Sequence, residues 1–153
     1  MRQVHEPRLE DTHMESARRV EVVYDGTQHC TARQADGKRS VIMDAPASCG
    51  GKGEEFSPDE LVAAGLGGCT LLAMGMAAQQ RKVDLTGTRV QVAVRMACGT
   101  SQRVDAIEIE VRLPRALPAE DRRALEQAAG GCPLTPSFHP DIPVTVDFKY
   151  PEP

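Results

Sequence analysis

The chain has 153 residues, with 18 Lys and Arg against 22 Asp and Glu and a formal net charge of −4. That length suits one ordinary domain, and the acidic balance argues against nucleic acid or an anionic membrane as a partner, since either calls for a basic surface. Hydrophobic residues make up 41% but aromatics only 3%, with no Trp, so the expected core is aliphatic and stacking on bases or sugars is not the expected mode of recognition.

Residues 1–17 read as a flexible N-terminal arm and 18–153 as a single domain. From Arg18 onward Val20, Val22 and Tyr24 alternate with Glu21, Val23 and Asp25, the period of a half-buried strand. Asp25-Gly26 predicts a hairpin turn into a second strand over 27–33. A turn over 35–38 and a third strand over 40–43 complete an antiparallel meander. Residues 44–57, rich in Gly, Pro and Ser, read as a loop.

The character then changes, because residues 61–78 carry no charge. Ser57 can cap a helix, Pro58 suits its first position, and Glu60 stands where a capping box needs an acid. Arg81 and Lys82 suit its far end. A helix over 58–80 would be about 34 Å long. Being apolar all round, it is expected to be buried on every side. Eighteen uncharged residues reach the lower limit for a membrane span. Gly65, Gly67, Gly68, Cys69, Thr70 and Gly75 dilute its apolarity, however, and amphipathic strands flank it, so a core helix is expected and no membrane partner. Its four glycines cost about 1 kcal/mol each relative to Ala. A ridge of Gly65, Cys69 and Ala73, with Gly68 beside it, would offset that by admitting a ligand or a crossing helix from the same or a second chain.

Two more alternating runs, 88–97 and 104–113, are joined at Gly99-Thr100-Ser101. A helix over 118–129 begins with acids and stops at Gly130-Gly131. A helical turn can follow Cys132-Pro133, and 144–150 closes as a strand. This order gives an α+β fold without regular βαβ alternation.

The five cysteines are Cys30, Cys49, Cys69, Cys98 and Cys132. They form no CxxC and no zinc-ligand spacing, so no metal is expected. Their odd number speaks against a disulfide scaffold, and the charged first twenty residues lack the apolar region of a signal peptide. A cytoplasmic protein with reduced thiols is therefore expected. Cys69 is either a small buried hydrophobe or a reactive thiol, which would need a cation or hydrogen-bond donors beside it. With Pro133 suited to a first helical position, Cys132 either meets the positive end of a helix dipole, which favours a thiolate, or is a loop residue with no role. Cys30, Cys49 and Cys98 have no charged or helical context, and His5, His13, His29 and His139 no site-like spacing, although His139 lies near Cys132 in the chain.

Ser57-Pro58-Asp59-Glu60-Leu61, Ala63-Ala64, Gly67-Gly68-Cys69-Thr70 and, about sixty residues later, Cys132-Pro133-Leu134 resemble the OsmC/Ohr family of osmotically inducible protein C and organic hydroperoxide resistance proteins. The resemblance runs over 20–150. It implies an OsmC-like fold, with antiparallel sheets wrapped around two long central helices in an intertwined homodimer. It also implies a thiol peroxidase that reduces organic hydroperoxides without a cofactor and is recycled by an external dithiol. Cys69 then matches the peroxidatic cysteine and Cys132 the resolving one. A Glu near the helix start and an Arg from the N-terminal strands would form a salt bridge that activates the thiolate. Asp59 falls where the hydroperoxide-resistance branch has its Glu, and Glu60 where a less characterised Gly-Gly-Cys-Thr branch has it. Arg33 and Arg39 lie in the strand region of the Arg.

Helical geometry adds a constraint. Glu60 and Cys69 are nine residues apart, about 13.5 Å along the axis and on opposite faces, so a carboxylate that serves the thiol would come from a partner chain. Both acids fit simple capping equally well, and Arg33 fits a solvated strand position. Two other functions stay open: a non-catalytic dimeric binding protein for small apolar ligands, and a redox sensor whose disulfide alters partner binding.

Overall fold

A computed structural model describes residues 18–97 and 103–151. The arm over 1–17 with His5 and His13, Cys98 and the Gly99-Thr100-Ser101 connection lie outside the described residues. The chain forms two compact units that meet in sequence between Phe56 and Ser57.

The first unit is a meander of β1 (Val20–Gly26), β2 (His29–Gln34) and β3 (Ser40–Asp44), antiparallel throughout. Its first turn falls at Thr27-Gln28, two residues beyond the expected Asp25-Gly26. Thr27 and Gln28 have φ of 49° and 62°, the left-handed pair whose twist matches that of the flanking strands. Gly26 instead ends β1 opposite His29, past an irregularity in the register after Tyr24. Asp25 is occupied as an acceptor, taking the Thr31 hydroxyl at 2.7 Å. The second strand therefore starts at His29 rather than 27. After β3, Asp44 is buried and its Oδ2 accepts the N–H groups of Lys52 at 3.0 Å and Glu54 at 3.3 Å. Burial alone would raise its pKa, but these backbone donors outweigh that and hold it below the usual value. Gly51 is obligatory in this loop, since a Cβ there would lie 1.8 Å from the Ala45 carbonyl oxygen.

The second unit contains α1 (Pro58–Arg81), β4 (Arg89–Met96), β5 (Val104–Arg112), α2 (Ala119–Gly130) and β6 (Val144–Lys149). The α1 start is a capping box. Ser57 Oγ accepts the Glu60 N–H at 3.3 Å, and Glu60 Oε2 accepts the Ser57 N–H at 2.8 Å. β4 and β5 pair antiparallel, whereas β6 returns through α2 to lie parallel to β5, so this sheet is mixed. Leu66, Met74 and Ala78 of α1 join Ile107, Ile109 and Val111 of β5 and Leu125 and Ala129 of α2 in one buried cluster.

The expected burial of α1 on every side does not hold within the chain. Leu72 is 74% exposed, Met76 66% and Val62 40%. By length and composition α1 could cross a membrane, but here Leu66, Gly67, Thr70, Met74 and Ala78 are buried, and β4 and α2 pack against the helix. One sheet and one short helix cover only part of the circumference of a 24-residue helix. The glycines divide accordingly. A Cβ on Gly67 would press on Val92 Cγ2 at 3.3 Å, so the close approach is there, to β4. At Gly65, Gly68 and Gly75 a Cβ would meet nothing within 4 Å. Within one chain the anticipated ridge of Gly65 and Gly68 is thus not a helix crossing.

Candidate active site

The two cysteines singled out by their motifs come together. Cys69 projects from the middle of α1. Cys132 follows the end of α2, where Gly131 donates to the Ala128 carbonyl at 3.0 Å and Cys132 to that of Ala129 at 3.4 Å. The Thr135 N–H then donates to the Cys132 carbonyl at 3.2 Å and closes a tight turn. Both thiols are free. Cys69 is half-buried against the core, whereas Cys132 is 1% exposed and part of it.

The thiols are electrostatically unequal. The neighbouring Cys132 thiol, and then burial, push the Cys69 pKa up against a smaller opposing effect of the Leu134 N–H. At Cys132 burial is the largest influence and raises the pKa. The donors that converge there (the Cys69 thiol, the Leu134 and Thr135 N–H groups and the Thr135 hydroxyl) bring it below the ordinary value. Of the two thiols, Cys132 is thus the easier to ionise within one chain. Sequence reasoning did not single out Thr135, and the signal available was its place three residues after a cysteine across a turn.

The supporting residues stand elsewhere. Glu60 is engaged at the helix start, accepting from both the backbone and the hydroxyl of Ser57. Asp59 lies in the same first turn. The unbroken helix keeps both acids away from Cys69 of their own chain. Arg33 is exposed on β2, opposite Ser40, and the Arg39 guanidinium donates to Gln34 Oε1 at 3.1 Å. Both line a cavity of about 540 Å³ in the first unit, together with Arg18 and Arg19, over a floor that includes Val20, Ala32 and Val41. Arg18 and Arg19 were not anticipated as its companions.

In the second unit several arginines are paired away from the thiols. Arg81 meets Asp121 at 2.6 Å and Glu120 at 2.8 Å, Arg115 meets Asp84 at 3.1 Å, and Arg95 meets Glu108. His139 takes the Asp141 N–H at 3.3 Å and is exposed. Cys30 is half-buried in β2 and Cys49 exposed. Among the described residues no group of three His, Cys, Asp or Glu side chains is placed to hold a metal. A hollow of about 250 Å³ lies between α1 and β4, lined by Ala63, Ala64, Gly67, Gly68, Leu71, Val90 and Val92.

Residues 51–147 match the family model described as OsmC-like protein. An organic hydroperoxide resistance protein from Xanthomonas axonopodis pv. citri is 30% identical over 133 residues, covering 78% of this chain and 92% of that protein. The crystal structure of an osmotic stress induced and detoxification response protein from Psychrobacter arcticus superposes with a TM-score of 0.79 at 32% identity, over 85% of this chain and 94% of that one. An organic hydroperoxide resistance protein from Bacillus subtilis has a TM-score of 0.65 at 19% identity, over 87% and 98% of the two chains, and shares the fold.

Proposed function

The chain belongs to the OsmC/Ohr family, and from that premise we propose that it is a thiol peroxidase reducing organic hydroperoxides through Cys69 and Cys132. The observation that carries this reading is the meeting of two free thiols from distant parts of the chain, one half-buried and one sealed in the core. The accessible sulfur is the one a peroxide can reach, which gives Cys69 the first step. Relatives named for organic hydroperoxide resistance support the substrate class.

In the first step the Cys69 thiolate attacks the distal oxygen of ROOH. The O–O bond breaks, the alkoxide takes up a proton and leaves as ROH, and Cys69 becomes a sulfenic acid. Cys132 then displaces its hydroxyl group as water and forms a disulfide. An external dithiol reopens it by two exchanges and is itself oxidised.

Within one chain Cys69 favours its protonated form, so the first step calls for a cation beside it. A homodimer is the proposed source. The exposed apolar side of α1 and the exposed Val20, Val22 and Tyr24 of β1 both need cover, and a second copy supplies it. The guanidinium of Arg33 or Arg39, steadied by Asp59 or Glu60, would stabilise the thiolate and the leaving alkoxide across that interface. Reduced thiols at rest fit a cytoplasmic setting.

The test is consumption of tert-butyl hydroperoxide with dithiothreitol as reductant. Cys69→Ser should abolish it, and Cys132→Ser should leave the first oxidation but stop turnover. Unchanged activity in Cys69→Ser defeats the reading. The hollow on α1 also fits the rival of an apolar-ligand binding protein. Free thiols counted before and after one equivalent of hydroperoxide separate the cases: a binding protein loses none, a sensor two per chain without turnover, and the enzyme two with turnover.

A further inference from the structure

We propose that Arg81 is a positioning residue for the thiol pair: its ion pair with Asp121, backed by Glu120, fixes the register of α2 along α1 and so keeps Cys132 level with Cys69. The guanidinium Nε donates to Asp121 Oδ1 at 2.6 Å and its Nη2 to Glu120 Oε1 at 2.8 Å. Arg81 is the last residue of α1, and both acids stand in the first turn of α2. From that clasp the shared cluster of Ala78, Met74, Leu125 and Ala129 runs on to Cys132, with Cys69 packed against it, so the two helices lie antiparallel. Arg81 is twelve residues beyond Cys69, about 18 Å of helix, and Cys132 is eleven beyond Asp121, about 16.5 Å at the same rise. Clasp and thiols therefore mark opposite ends of one helix–helix contact.

Between those ends the contact is aliphatic. Burial of such side chains is non-directional, whereas a guanidinium fork meets carboxylates at defined angles. Setting register is the best-attested use of a polar pair of this kind. The Asp121 side chain is 19% exposed and that of Glu120 75%, so the Asp121 bond is the shielded one and Glu120 supports it. On another side α2 is tied to the chain end, where the Tyr150 hydroxyl donates to Glu126 Oε1 at 2.8 Å. Arg81 ties it to α1. Register matters because a disulfide needs its Cα atoms within about 7 Å and accepts a narrow range of torsions. A slip of one residue displaces a thiol by about 1.5 Å.

The consequence for turnover rests on the peroxidase reading, but the approach of the thiols does not, so the first measurement uses no peroxide. The full chain with Cys30, Cys49 and Cys98 changed to Ser retains the pair alone. It is equilibrated with dithiothreitol and its cyclic oxidised form. As the Cys69–Cys132 bond forms, two protons and two electrons pass to the ring disulfide, which opens to the dithiol. Alkylation and mass measurement read the fraction closed. Arg81→Met, which keeps the apolar stem, should lower the closure constant about fivefold, the scale of an ion pair partly open to solvent. Asp121→Asn should do the same, and the two together should cost no more than either alone. A contact that only stabilises the fold would lower the unfolding midpoint and leave the closure constant of the folded chain unmoved. That result, or additive losses in the double variant, overturns the assignment. Should Arg81→Met fail to fold, Asp121→Asn is read in its place. With one equivalent of tert-butyl hydroperoxide, Arg81→Met should form the sulfenic acid, trapped by dimedone, at the native rate and close the disulfide more slowly. A lowered closure constant in a protein that consumes no hydroperoxide sinks the peroxidase reading and leaves Arg81 its role.

Discussion

Residues 18–56 and 57–151 are each organised around a three-stranded sheet, but their apolar residues meet different fates. In the second unit α1 and α2 supply Leu66, Met74, Leu125 and Ala129 to a cluster that seals Ile107, Ile109 and Val111 of the central strand. Among the described residues of the first unit Ala32 is the buried apolar side chain, while Val22 stands 56% and Tyr24 62% exposed. The register puts Val22 in line with Ala32 and Val41, and Tyr24 with Cys30 and Met43, so one face of this sheet is apolar and is exposed along β1. A three-stranded sheet that leaves the apolar residues of an edge strand exposed has little hydrophobic free energy to set against the entropy of ordering its chain. The same incompleteness recurs on the outer side of α1. The contrast teaches that the second unit carries its own core whereas the described part of the first buries little apolar surface, which is the physical basis for proposing a second copy.

The sharpest way to break that comparison is to charge the open side of α1. Leu72→Glu with Met76→Glu should convert a dimer to monomer by sedimentation and remove peroxide turnover, whereas on a free surface such changes stay within about 0.5 kcal/mol. A dimer that persists with full activity would mean that nothing covers this face. Next in size, Leu125→Ala should cost about 2–5 kcal/mol in chemical denaturation through the cavity it leaves, and the cost should be independent of protein concentration if the second unit owns its core. Val22→Ala is the counterpart in the first unit, with a cost that grows with protein concentration.

Gly68→Ala reads the interface by sign. With open space around its Cβ it should stabilise α1 by about 1 kcal/mol, and under a closely packed partner helix it should destabilise instead. The smallest effect is electrostatic. Because Asp44 is held below its usual carboxyl value of 3.8, its contribution is complete above that pH and is lost as the pH falls through the lower folded value. Asp44→Asn should flatten this acid limb in thermal unfolding, and an unchanged limb would discount the loop bonds.

The start of α1 was legible because every part of the signal is local: Ser57, Pro58 and Glu60 are adjacent in the chain and adjacent in the capping box. The alternating strands were legible for the same reason, to within a residue or two. The first hairpin was misplaced because Asp25-Gly26 satisfies the turn rule as a dipeptide, while cross-strand register sets the turn at Thr27-Gln28. The glycines of α1 look alike in sequence, yet Gly67 meets β4 and Gly68 meets open space. Nothing within four residues of either distinguishes them. Of the site, the two cysteines were visible through their motifs, whereas Thr135 is ordinary until its N–H closes the turn on the Cys132 carbonyl.

The amino-acid order on its own thus decided where helices and strands form, since backbone preference and side-chain period act over a few neighbouring residues. Which thiol is sealed in the core, which glycine admits a neighbour and which apolar residues stay exposed were decided only on folding. Those properties are sums over groups that the chain brings together from tens of residues apart, and burial and hydrogen bonding have no value until that happens.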